Sequence, residues 1–131
     1  MTIKYTPAQL LYDATFTALK GLGIEVIDSK DITNKIPYPF FVVGQFKTIK
    51  TEYTFNSYHG TFNGTIDVWS NDNDLGEHNL CVNYAETILS EITEIEDYQI
   101  RYKEITTNTI IDYSTDIELL HTIINIEYEV L

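Results

Sequence analysis

The spacing of apolar residues changes period along the chain, and each period predicts an element. Leu11, Ala14, Ala18 and Leu22 recur at helical intervals, with Gln9, Asp13, Thr17 and Lys20 on the opposite side. Thr6-Pro7-Ala8-Gln9 reads as the start of that helix. Thr6 can cap it, Pro7 suits the first turn because its nitrogen has no hydrogen to leave unpaired, and Gln9 can close a capping box. Gly21 and Gly23 stop it.

The pattern then shortens to strands. Ile24 to Ile27 is a short one, Asp28 to Lys35 a polar loop, and Pro37 and Pro39 hold the chain extended. The unbroken apolar run Phe40-Phe41-Val42-Val43-Gly44-Gln45-Phe46 predicts a buried central strand, with Lys47 to Tyr53 as its hairpin partner and Phe55 to Gly60 as a loop. From Thr61 to Ser70 the chain alternates, Phe62, Gly64, Ile66 and Val68 on one face and Thr65, Asp67 and Trp69 on the other. A second helix opens at Asn71 to Asp74, with Cys81, Tyr84, Ala85, Ile88 and Ile92 along its apolar side. Alternating segments follow around Tyr98 to Tyr102 and Thr109 to Tyr113. The last strand turns Thr122, Ile124, Ile126, Tyr128 and Val130 one way and Asn125, Glu127 and Glu129 the other. Helix, strands, helix and more strands, joined by short connections, predict an α+β fold. The expectation is one domain over residues 1–131: a mostly antiparallel sheet with two helices packed on one face.

Charge narrows the functional classes. Twenty acidic residues stand against 8 basic ones, a formal net charge of −12. Such a chain lacks the cationic face that nucleic-acid phosphates need, and has no polybasic membrane anchor. Cys81 is the single cysteine, so it makes no intramolecular disulfide and no thiolate zinc site. With no apolar signal core at the start of the chain, folding in a reducing cytoplasm is expected.

Candidate chemistry is sparse. Asp72, Asp74 and Glu77 suggest a cation loop, but a calcium loop counted from Asp72 needs glycine at its sixth position and glutamate at its twelfth, where Glu77 and Asn83 stand. Capping the second helix is the better role for these acids. His59, His78 and His121 have no metal-ligand spacing, and His78 falls at the edge of an apolar helix face, where a packed, hydrogen-bonded imidazole is expected. Cys81 points to inert packing, no Gly-x-Ser-x-Gly elbow is present, and Gly21-Leu22-Gly23 ends a helix where a phosphate loop would begin one. No catalytic residue, cofactor or metal is expected.

The order of segments carries more than any motif. A capped first helix is followed by Ile36-Pro37-Tyr38-Pro39-Phe40-Phe41-Val42-Val43-Gly44 and then by a strand ending Ile66-Asp67-Val68-Trp69-Ser70. An acid-capped helix and a closing alternating strand complete a chain that resembles the tail-terminator proteins of long-tailed bacteriophages, also called tail-completion or tail-to-head joining proteins. The resemblance implies a non-enzymatic virion protein of the tail, assembled in the host cytoplasm. It implies a ring of identical copies, usually a hexamer, at the head-proximal end of the tail tube. The ring stops tube growth and docks the head connector, and DNA passes through it without specific binding. The implied partners are further copies, the tail-tube protein and the head connector or stopper, with no membrane. Another phage neck or tail-tube subunit is the alternative, and a small cytosolic ligand-binding domain or enzyme a further one. Tyr53, Phe55, Tyr58 and His59, in the stretch from Lys47 to Gly60, are the candidate interface, since interfaces favour aromatics. An ordinary hairpin with partly buried rings reads the same stretch equally well.

Overall fold

In the computed structural model, which describes residues 6–32, 37–51, 59–71, 75–96, 98–113 and 118–131, helix α1 runs Pro7–Lys20. Thr6 Oγ1 accepts from the Gln9 amide at 3.2 Å, as the cap sequence predicts. The Gln9 side chain does not return to the cap; its amide donates to Asp13 one turn on, at 3.0 Å. Leu22 and Gly23 donate back to Leu19 and Lys20 to close the helix, and Gly23 takes the left-handed conformation, with φ +77°. The buried line is Leu11, Thr15 and Leu19, with Ala14, Phe16 and Leu22 packed beside it. It is therefore centred on a threonine that a purely apolar count passes over.

Strands β1 (Glu25–Asp28), β2 (Phe40–Val43), β3 (Lys47–Thr51), β4 (His59–Ser70), β5 (Glu94–Ile95), β6 (Tyr98–Asp112) and β7 (Leu119–Val130) form one sheet. Its order is β1-β2-β4-β7-β6-β5, with β3 beside β4. Only β1 and β2 run parallel; the other pairs are antiparallel. As expected of an unbroken apolar run, β2 lies inside the sheet with all four residues buried. The expected β2–β3 hairpin is replaced. Lys47 pairs with Asn63 and Thr51 with His59, so β3 is the hairpin partner of β4, and β2 and β3 lie end to end along the same side of β4. What read as a loop ending at Gly60 already belongs to β4 from His59.

Helix α2 runs Leu75–Ser90. Its buried line is His78, Val82, Ala85 and Leu89, whereas Tyr84, expected inside, is 48% exposed. His78, expected at the edge of the apolar side, heads the buried line, which is turned from the expected side toward Val82 and Leu89. The two alternating segments expected after α2 are one strand, β6, interrupted at Lys103, where the register with β7 shifts between Tyr102 and Glu104. One extra residue turns alternation before it out of phase with alternation after it, so the segments look separate in sequence.

Both helices lie on one face of the sheet, α1 against β1 and β2, α2 against β4, β6 and β7, and they touch each other. Phe62, Ile66 and Val68 of β4 and Ile124, Ile126 and Tyr128 of β7 point at them, with the alternation predicted for both strands. Tyr128 reaches through this layer and donates to the Leu89 carbonyl of α2 at 2.7 Å. Burial pushes its phenol pKa up.

Candidate assembly surface

A chain of polar side chains runs from α2 into the sheet, buried at His78, Ser70 and Thr122 and reaching the surface at Thr109. His78, 2% exposed, meets Ser70 Oγ through Nδ1 at 2.7 Å and Thr122 Oγ1 through Nε2 at 2.6 Å. Thr122 continues to Thr109 of β6 at 2.7 Å. A serine against an imidazole suggests a nucleophile and its base. Here, however, Ser70 is buried, the second ring nitrogen meets a hydroxyl rather than a carboxylate, and the chain ties one helix to three strands. Burial, and then the nearby His121, hold the His78 pKa below its ordinary value. This is the packed imidazole that its sequence position predicts. Cys81 is half-buried on the same helix, and burial with the Glu77 charge pushes its thiol up, away from the reactive thiolate.

Among the described residues the opposite face of the sheet carries no helix. At one end Trp69 stacks on His121, centroids 3.8 Å apart and planes 10° from parallel, while Asp67 Oδ1 lies 2.7 Å from His121 Nε2. At the other end the side chains are polar. Thr65 bonds Asn125 at 3.1 Å, Arg101 pairs with Glu129, and Glu104 stands directly opposite Glu127 across the ladder. Gln45, Lys47, Asn63, Glu104 and Glu127 border a shallow hollow of about 390 Å³ there. Carboxylates outnumber cations on this face. Asp67, Glu104, Glu127 and Glu129 stand against Lys47 and Arg101.

The edge of the sheet is more unusual. β5 pairs with β6 at Tyr98 and Gln99, the Ile100 amide donates to the Thr93 carbonyl just before β5 at 2.9 Å, and from Arg101 to Asp112 the ladder partner of β6 is β7. Among the described residues its far edge is open. Ile110, Ile111 and Tyr113, at 43%, 47% and 71% exposed, cluster at the end of that strand. A separate cleft of about 880 Å³ lies between α1 and the β1 side of the sheet, bordered by Tyr12, Phe16, Val26, Asp28, Gln45 and Phe46. In it the Tyr12 hydroxyl donates to the Asp28 carboxylate and the Lys30 amide donates to the same group at 2.9 Å. These bonds lower the Asp28 pKa, and burial followed by that carboxylate raises the Tyr12 pKa.

Of the residues expected to form an interface, Tyr53, Phe55 and Tyr58 lie outside the described residues, and His59 opens β4 opposite Thr51. Asp72 and Asp74 also lie outside them, whereas Glu77 sits in the first turn of α2. Among the described residues no cluster of histidine, cysteine and carboxylate side chains could hold a metal ion, and no helix is long and apolar enough to cross a membrane. The sequence reading missed the β6 edge. Its signal was the uncharged stretch Ile105 to Ile111, rich in β-branched residues.

No family model matches the chain, and no curated protein matches it. Solved structures do. A chain from the virion of a native gene transfer agent particle superposes with a TM-score of 0.65 at 11% identity, over 96% of this chain and 99% of that one. The two chains share one fold. A second solved chain superposes at a TM-score of 0.55 and 13% identity, over 96% of this chain and 97% of its own. Both likenesses run nearly end to end, so they concern the whole arrangement of helices and sheet, and at these identities they speak for the fold.

Proposed function

We propose that this protein is a structural subunit of a phage-like virion, the tail terminator, which assembles as a ring on the head-proximal end of the tail tube. The ring ends tube growth and offers its other side to the head connector. The observation that carries the reading is the end-to-end likeness to a chain of a gene transfer agent virion. The order of segments that resembles tail terminators points the same way, and the open β6 edge suits a protein that works by contact with its own copies.

The helix-free face suits the bore of such a ring. Its carboxylates would repel the phosphates of passing DNA, and at physiological salt that repulsion reaches only about 8 Å from the wall. A basic bore would instead release counterions on contact and grip the duplex. The reading is tested in the phage that encodes the chain. A stop codon at Glu25 is expected to leave filled heads unjoined beside tails of abnormal length, seen by electron microscopy of lysates. Normal virions from that mutant would refute it.

A further inference from the structure

We propose that the outer edge of β6 is a strand-pairing site for a second copy of this chain, and that it takes the β3 edge of that copy. The proposal rests on the ring reading for its closure and adds the contact that builds the ring. An open edge strand presents a row of unpaired backbone N–H and C=O groups. Proteins that leave one bare blunt it with proline, charge, a bulge or brevity. From Ile105 to Ile111 β6 reads Ile-Thr-Thr-Asn-Thr-Ile-Ile, with no charge, proline or glycine, and the only register shift lies before it, at Lys103. Such a segment left bare templates uncontrolled stacking. It needs a specific cover.

The chain itself supplies the complement. Besides β6, the sheet of the described residues has margins at β1, at β3 and at β5, and β5, only Glu94–Ile95, is too short to cover the β6 edge and carries an acid. β1 carries Glu25 and Asp28, which would add negative charge to an acidic edge, and Asp28 is already engaged by Tyr12. β3 reads Lys-Thr-Ile-Lys-Thr, two cations on a strand of β-branched residues in a molecule of net charge −12. Beside the β6 edge, Glu104 and Glu127 oppose each other, and among the described residues neither has an ion-pair partner. A β3 strand added there would bring Lys47, which shares their face through its pairing with Asn63, toward this like-charged pair. Because the two partners use different edges, the contact is head-to-tail, and a closed ring leaves neither edge bare.

Neighbouring residues of an antiparallel strand point their N–H groups in opposite directions, so one of Thr106 and Thr107 donates to β7 and the other outward. The single variants Thr106→Pro and Thr107→Pro separate the two roles. One loses a ladder bond and unfolds more easily, whereas the other keeps the wild-type thermal midpoint and lacks only an outward donor. Native mass spectrometry and electron microscopy of the full chain are expected to find wild-type rings and a monomeric outward variant. Mixed with wild type, the outward variant still offers its β3 edge, so it enters assemblies as a chain end and opens the rings. Rings that persist undiminished in the outward variant overturn the edge pairing and leave the ring reading standing. A variant excluded from mixed assemblies overturns the β3 assignment in favour of β6 pairing with β6. A wild-type chain that stays monomeric at every concentration overturns both pairing and ring.

Discussion

Two buried polar side chains make different demands on this core. Thr15 is fully buried on α1, and among the described residues its hydroxyl has no hydrogen-bond partner. Replacing it by the similarly shaped valine removes an unsatisfied polar group and is expected to stabilise the fold by about 1 kcal/mol, read from the denaturant midpoint. Unchanged or lower stability would mean that the hydroxyl is satisfied. His78 is the opposite case, bonded through both ring nitrogens and held below its ordinary pKa of 6.5 by burial. Its folded pKa is depressed, so the neutral ring's contribution is complete above about pH 6.5 and is lost as pH falls through the folded value. Denaturant midpoints measured from pH 7.5 down to 5 are expected to fall more steeply in wild type than in His78→Gln. Parallel profiles would contradict this.

At the level of elements, Gly64 and Phe46 lock together the part of the sheet nearest the polar hollow. A Cβ on Gly64 would fall 2.3 to 2.6 Å from Phe46 ring atoms, and that ring has Tyr128 beside it at 6.3 Å between centroids. Gly64→Ala is therefore expected to cost about 1–3 kcal/mol, and Phe46→Leu in the same chain should recover part of the loss. Additive effects would mean that the two do not meet. On β7, Ile126→Asp buries an unpaired carboxylate and is expected to prevent folding, while Glu127→Lys one residue on folds normally. A cooperatively folding Ile126→Asp protein would put the strand register in doubt. Alternation made β4 and β7 legible in sequence because over Phe62 to Val68 and Ile124 to Tyr128 each sets an apolar face against a polar one. It failed at β6, where the bulge resets the phase and both faces of the far half carry threonine and isoleucine. It failed again at β3, whose partner is chosen by register with β4 rather than by nearness to β2. On the helices, the apolar count missed Thr15, a polar residue held in the buried line, whereas the packed His78 was legible from its place at the edge of an apolar helix face.

For the molecule as a whole, net charge was readable at once, but its distribution over the two faces needed the fold. On the face opposite the helices Asp67, Glu104, Glu127 and Glu129 outnumber Lys47 and Arg101, and the assembled protein is expected to have no measurable affinity for duplex DNA even at low salt, where attraction would be strongest. Salt-sensitive micromolar binding would contradict an acidic bore. The proposed edge contact was not legible from composition, because an open edge is a property of pairing. The aromatic residues at 53, 55 and 58 drew attention to another part of the chain. The proposed terminator role turns on how many copies the virion holds and where they sit. The direct measurement is therefore a reconstruction of the intact virion by electron microscopy, with the copies of this chain counted against those of the tube protein. The account predicts a single ring of this chain between tube and connector. Copies repeated along the length of the tail, or none at its head-proximal end, would contradict it.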